Sequence, residues 1–329
     1  MTVLKWLVAA VVVFTAVFSG AFAGLAHRAG LFYLVLGWAA VALLGFSRRE
    51  IGAAFRHAAG RPGTREDLGR SAHFWEAAAR NAWILGALGS ALNFTGVMGG
   101  GSGGIADLSA QMIRSLIVTL YGAVLAVVCL VPALKLGGLA GSTPPGKAAA
   151  PAVPGRPAVF ERVLGGALLA AVLAATVYAS VAGSPQDGPL PLARVMLHGP
   201  AILVVLGGTV ALFLFTGAGT GARGLTLGFA VTGLVALLAG FIQALLGFAR
   251  ANINEIAAAI AFIISASTFA LLGLGAVAAP LEDREVMDGR REGPGPLSRM
   301  FWVVYPLLTF IFLVLTFIMV VTPMVKKGA

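Results

Sequence analysis

The sequence predicts an all-α fold, a polytopic transmembrane helix bundle of about nine helices. Three observations carry this expectation. Residues are 59% hydrophobic and only 11% charged, against about 25% charged in an ordinary soluble domain. Mean hydropathy reaches +0.94. Apolar runs of about 18 residues or more, long enough to span a bilayer as helices, recur along the chain. A formal charge of +10 would raise nucleic-acid binding in a soluble protein. Here the basic residues fall between apolar runs, where they orient the chain against the lipid, so no nucleic acid is expected as a partner. The single cysteine, Cys129, excludes an intramolecular disulfide.

In chain order the expected spans are 4–26, 31–47, 81–98, 112–136, 162–183, 199–217, 224–248, 256–280 and 301–324. The first carries Lys5, an apolar stretch and then Ala21-Phe22-Ala23, which imitates a signal-peptide cleavage site; we read it as a retained helix. The loop 48–80 mixes Arg and Glu with spaced apolar residues. It is expected to form short surface helices broken at Arg61-Pro62-Gly63. Segment 137–161 is rich in Gly, Pro and Ala and reads as a flexible linker. With the N-terminus in the cytoplasm, seventeen Lys and Arg residues fall inside and six outside. That asymmetry predicts an N-in, C-out topology with a periplasmic C-terminus.

The linker divides the chain near its middle, and the halves resemble each other. Leu31–Phe46 aligns without gaps on Ala201–Thr216 at an offset of 170, and Ile105–Leu134 aligns on Ile253–Glu282 at an offset of 148. The second alignment pairs Asp107 with Glu255, Thr119 with Ser267 and Pro132 with Pro280. The expected organisation is a first four-helix unit at 1–136, the linker at 137–161, a degenerate second unit at 162–282, and a cytoplasmic loop plus ninth helix at 283–329. Four helices per copy return the chain to the same side, which makes the repeat parallel.

Catalytic signatures are missing, so no enzyme activity and no cofactor are expected. His27, His57, His73 and His198 lack the spacing of a metal site. Gly99–Gly104 is glycine-rich but not followed by Lys-Ser/Thr, so it is no phosphate loop. No paired carboxylates stand in an apolar setting. Polar groups within the spans are few, and they are functional suspects because they are costly there. The third span holds Ser90, Asn93 and Thr95; the fourth holds Arg114, Ser115 and Thr119. Asp107, Gln111 and Arg114 share one face if the fourth helix extends back that far. Asp107 and Arg114 then read either as a surface ion pair or as an ion entrance. Ser and Thr on such helices often serve only as helix glue.

The residues around these hydroxyls carry a family pattern. Gly86-Ala87-Leu88-Gly89-Ser90, then Gly104-Ile105, then Ser115 through Ala126 and Pro132, resembles the core signature of the MotA/TolQ/ExbB proton-channel family. That signature is a G-x-x-G-T turn followed by an A-L-x-x-T-x-x-G-x-x-x-A helix ending near a proline. Leu36-Gly37, and more so Val205-Leu206-Gly207-Gly208-Thr209, look like the second helix of the MotA branch. The core resemblance covers 81–135, a weaker one covers 1–135, and the second half matches only in parts.

The resemblance implies a multi-pass subunit of the bacterial inner membrane. It would form a homo-oligomeric, often pentameric, ring around a single-span partner of the MotB/ExbD/TolR type. The partner supplies a transmembrane aspartate, and flow of protons (or Na⁺) down the proton-motive force moves it. Thr119 and Ser90, with Asn93 and Ser115, would line the ion pathway, and Asp107 and Arg114 would stand at its entrance. Gly86, Gly89 and Gly122 would pack the helices, and Glu255, Ser267 and Thr268 would be the second-copy equivalents. The sequence departs from the pattern at Ser90, where Thr is usual, and at Val118, where many members carry a hydroxyl. The loop 48–80 is also far shorter than the cytoplasmic domain of flagellar stators. Two other classes stand beside this reading: a secondary transporter with a substrate site between the repeats, and a non-conducting structural subunit.

Overall fold

The described part of the chain is a bundle of nine helices. It comes from a computed structural model and comprises residues 28–99, 105–142, 159–182, 198–216, 222–250, 252–288 and 296–328, with only the backbone described at some helix ends, including 95–99 and 105–114. The expected first span, 4–26, lies outside the described residues. The helices are α1 (Arg28–Gly45), α2 (Arg48–Ala58), α3 (Arg65–Gly99), α4 (Ile105–Ser142), α5 (Val159–Ala182), α6, α7 (Ala222–Ala249), α8 and α9 (Pro296–Gly328). Two of them contain a π-helical turn: α6 runs Gly199–Ile202, Leu203–Gly207, Gly208–Thr216, and α8 runs Ile253–Leu272, Gly273–Ala278, Ala279–Met287.

Among the described residues, four stretches are long and apolar enough to cross a membrane: Ser115–Gly141, Ala222–Ala249, Glu255–Met287 and Arg299–Thr316. Helix α1 turns into α2 through a bend of 115°, and this pair makes at most one more span. Arg162–Ala175 and Gly199–Leu214 are shorter apolar helices. These lengths and compositions are those of a membrane protein.

Three boundaries differ from the sequence expectation. The region 48–80 does break at Arg61-Pro62-Gly63, but it is not a string of short surface helices. Ser47 caps α2 through a reciprocal capping box with Glu50, and Gly60 takes the positive φ of 96° that the following turn requires. Thr64 and Asp67 then exchange hydrogen bonds, and α3 runs from Arg65 straight into the apolar span. No proline interrupts Arg65–Gly99, and its polar first half is rich in alanine, so nothing local stops the helix. The linker begins later than expected, because α4 continues to Ser142 before the first proline at 144. Finally, α8 passes Pro280 and continues to Met287. Proline lacks an N–H to close an α-turn, and the π-turn at Gly273–Ala278 precedes it, so the backbone readjusts without ending the helix.

Packing centres on α3, which touches α1, α2, α4, α5, α8 and α9. The two most extensive helix contacts are the hairpins α3–α4 and α7–α8. A main core of Tyr33, Leu34, Ile84, Leu237, Ile263 and Leu271 joins the two hairpins. A second core at the arginine-rich end gathers Phe46, Phe74, Trp75 and Leu136.

Candidate functional site

At the α3–α4 crossing the two backbones approach at Gly86 and Gly122. A Cβ on Gly122 would lie 2.7 Å from the Ala82 carbonyl oxygen and from Gly86 Cα, and one on Gly86 would lie 2.9 Å from Gly122 Cα. Both obstacles are backbone, so only glycine fits there. Gly89 makes room one turn on for the Tyr33 ring and the Val118 side chain.

This close approach brings three hydroxyls together. Ser90 Oγ donates to the Ser115 carbonyl at 2.5 Å and lies 2.6 Å from Thr119 Oγ1. Ser115 Oγ returns the contact by donating to the Ser90 carbonyl at 2.7 Å. Thr119 Oγ1 reaches the Gly86 carbonyl at 3.3 Å. All three side chains are buried within the chain. Every bond crosses from one helix to the other, so the network is closed on itself and ties the hairpin without exposing a polar atom.

The other expected site residues fall elsewhere. Asn93 is half-buried on α3, three residues beyond Ser90. Asp107 and Arg114 lie on the first turns of α4, which does extend back to Ile105, but their side chains lie outside the described residues, as does 100–104. Glu255 is at the exposed start of α8, where it pairs with Arg250 at 3.5 Å. Ser267 is buried and donates to the Ile263 carbonyl of its own helix at 2.7 Å, while the buried Thr268 hydroxyl has no hydrogen-bond partner. The second-half equivalents therefore do not meet as Ser90, Ser115 and Thr119 do.

A second polar cluster lies outside these expectations, and it corrects the reading that no paired carboxylates stand in an apolar setting. Glu282 and Asp283, each 1% exposed, are enclosed at the arginine-rich end of the bundle. Asp283 accepts from Arg80 of α3 at 2.5 Å, and the Arg80 guanidinium lies over the Trp302 ring at 4.5 Å. Glu282 accepts from Thr226 at 3.3 Å. Arg284 donates to the Leu44 carbonyl at 3.0 Å, and Glu285 accepts from the backbone N–H of Ala222 at 2.9 Å. The signal in the sequence is the segment Leu281–Met287, whose charges continue a helix past Pro280 instead of opening a loop. Among the described residues no three His, Cys, Asp or Glu side chains converge as a metal site needs. No family model, curated protein or solved structure matches the chain.

Proposed function

We propose that the chain is a proton-channel or motor subunit of the MotA/TolQ/ExbB type in a bacterial inner membrane. It couples ion flow to movement of a single-span partner that carries a transmembrane aspartate. One observation carries this reading: the Ser90–Thr119 hydroxyl pair, 2.6 Å apart, sits at the glycine crossing of an otherwise apolar hairpin. Hydroxyls both donate and accept, so they can exchange hydrogen bonds with ordered water or a carboxyl group while adding no charge to the lipid phase. Within one chain both hydroxyls bond inward, and Thr119 serves the partner by rotating away from the Gly86 carbonyl.

The duplication belongs to the same reading. Gly122 corresponds at the alignment offset of 148 to Ala270, and Ala270 packs beside Gly233. Gly233 in turn stands 147 residues beyond Gly86, so the same crossing recurs in α7–α8 with one glycine replaced. The second hairpin then acts as a supporting half that has lost the hydroxyl network.

Purification in mild detergent followed by electron cryo-microscopy tests the assembly. A ring of copies enclosing an Asp-bearing single helix is expected, and a monomer that binds a small solute overturns the proposal. Reconstituted with that partner, Thr119→Val should keep the ring and lose ion flux, while Thr119→Ser keeps both. Normal flux in the valine variant would leave Thr119 as packing glue alone. The transporter reading draws on the buried Arg80–Asp283 pair between the two hairpins. That pair lies at the arginine-rich end of the bundle, whereas substrate sites between repeats form near the bilayer midplane, which places the transporter second.

A further inference from the structure

The buried cluster at the arginine-rich end contains an unfinished contact. Arg80 occupies Asp283 Oδ2, and the other oxygen, Oδ1, faces His73 Nε2 across 3.4 Å. Both His73 Nε2 and Asp283 Oδ1 are buried and have no hydrogen-bond partner. An enclosed carboxylate oxygen left without a donor is costly, and so is an enclosed ring nitrogen. The surroundings hold the two groups in register. Phe46 at the end of α1 lies against the His73 ring at 6.1 Å. A Cβ on neighbouring Gly45 would come within 3.6 Å of Asp283 Oδ2. The other charged groups here are Glu282, Arg284 and Glu285, and each is engaged by Thr226, the Leu44 carbonyl or the Ala222 N–H. The His73 side chain is 11% exposed and Asp283 only 1%, so solvent reaches the imidazole and not the carboxylate.

We propose that His73 and Asp283 form a proton-binding site that closes the junction between α3 and α8. A proton taken from solvent by the imidazole leaves both ring nitrogens as N–H donors. Nε2 then donates to Asp283 Oδ1, and the carboxylate is held on both oxygens, by Arg80 on one side and His73 on the other. No bond breaks, and the cluster gains one positive charge. Histidine is the side chain whose ordinary titration falls within the physiological range, so the junction tightens on acidification and loosens as pH rises. The inference does not rest on the channel reading, since none of its residues belongs to the hydroxyl network.

The test is the thermal unfolding midpoint of the full chain in detergent, followed between about pH 5 and 8. The wild-type midpoint should fall by roughly 2–4 °C as pH rises through this interval. His73→Gln carries an N–H donor at every pH and should flatten that fall. His57→Gln, which removes the imidazole bonded to Ser71 at 2.8 Å, should leave it intact. A flat wild-type profile, or an unchanged fall in His73→Gln, overturns the site. Histidine-selective ¹⁵N spectra of the wild type give a second readout that needs no variant. A slowly exchanging imidazole that gains its second N–H on acidification supports the site, and the lack of one overturns it.

Discussion

The hairpins α3–α4 and α7–α8 are similar in composition and differ in what holds them together. In α3–α4 two glycines meet backbone to backbone, and Ser90, Ser115 and Thr119 bond across the gap. In α7–α8 the glycines accept side chains instead: Gly240 faces Ile263 and Phe262, Gly273 faces the Phe229 ring, and Gly233 faces Ala270 and Tyr305. The hydroxyls there turn back on their own helices. Ser267 bonds Ile263, Thr232 bonds Gly228, and Thr226 bonds Ala222. When backbones touch, the nearest acceptor to a hydroxyl is a carbonyl on the neighbouring helix. When side chains hold the helices apart, it is the carbonyl four residues back.

That contrast can be broken at several points. The largest effect is expected at the clamp joining the hairpins: Arg80→Ala leaves the Asp283 carboxylate buried and uncompensated and should cost about 3–5 kcal/mol, measured by unfolding in mixed detergent micelles. Next comes Gly122→Val. Its added atoms meet backbone that cannot step aside, so a loss of about 3 kcal/mol is expected. Gly240→Ala in the other hairpin meets the movable end of Ile263 and should cost about 1 kcal/mol by the same assay. Equal losses at the two positions would remove the distinction between backbone and side-chain contact. Ser90→Ala deletes the hub of the cross-helix network, and about 1–2 kcal/mol should be lost. Ser267→Ala removes only a bond within one helix and should change stability by less than about 0.5 kcal/mol.

Much of the bundle is legible in the residues alone. Apolar runs locate the spans, and the Gly86-x-x-Gly89-Ser90 and Ser115-x-x-x-Thr119-x-x-Gly122 spacings mark the hairpin where hydroxyls and glycines share a face. The helix ends are less legible. A search for apolar runs stops at the first charge, yet α3 starts sixteen residues before the span expected at 81, and α8 continues seven residues past 280. The Arg80–Asp283 pair is not legible at all. Its members stand 203 residues apart, and no local pattern announces that two helix ends will enclose them.

The sequence by itself therefore determined that the chain is helical and suited to lipid, and where small residues permit helices to meet. Those properties follow from composition and from a period that each segment carries alone. Only the tertiary structure decided which acceptor each hydroxyl uses and which charges become enclosed, because both depend on the distance between segments remote in the chain. The expected helix bundle is thus two hairpins of different construction, with α3 between them. Their shared charged end carries its own chemistry.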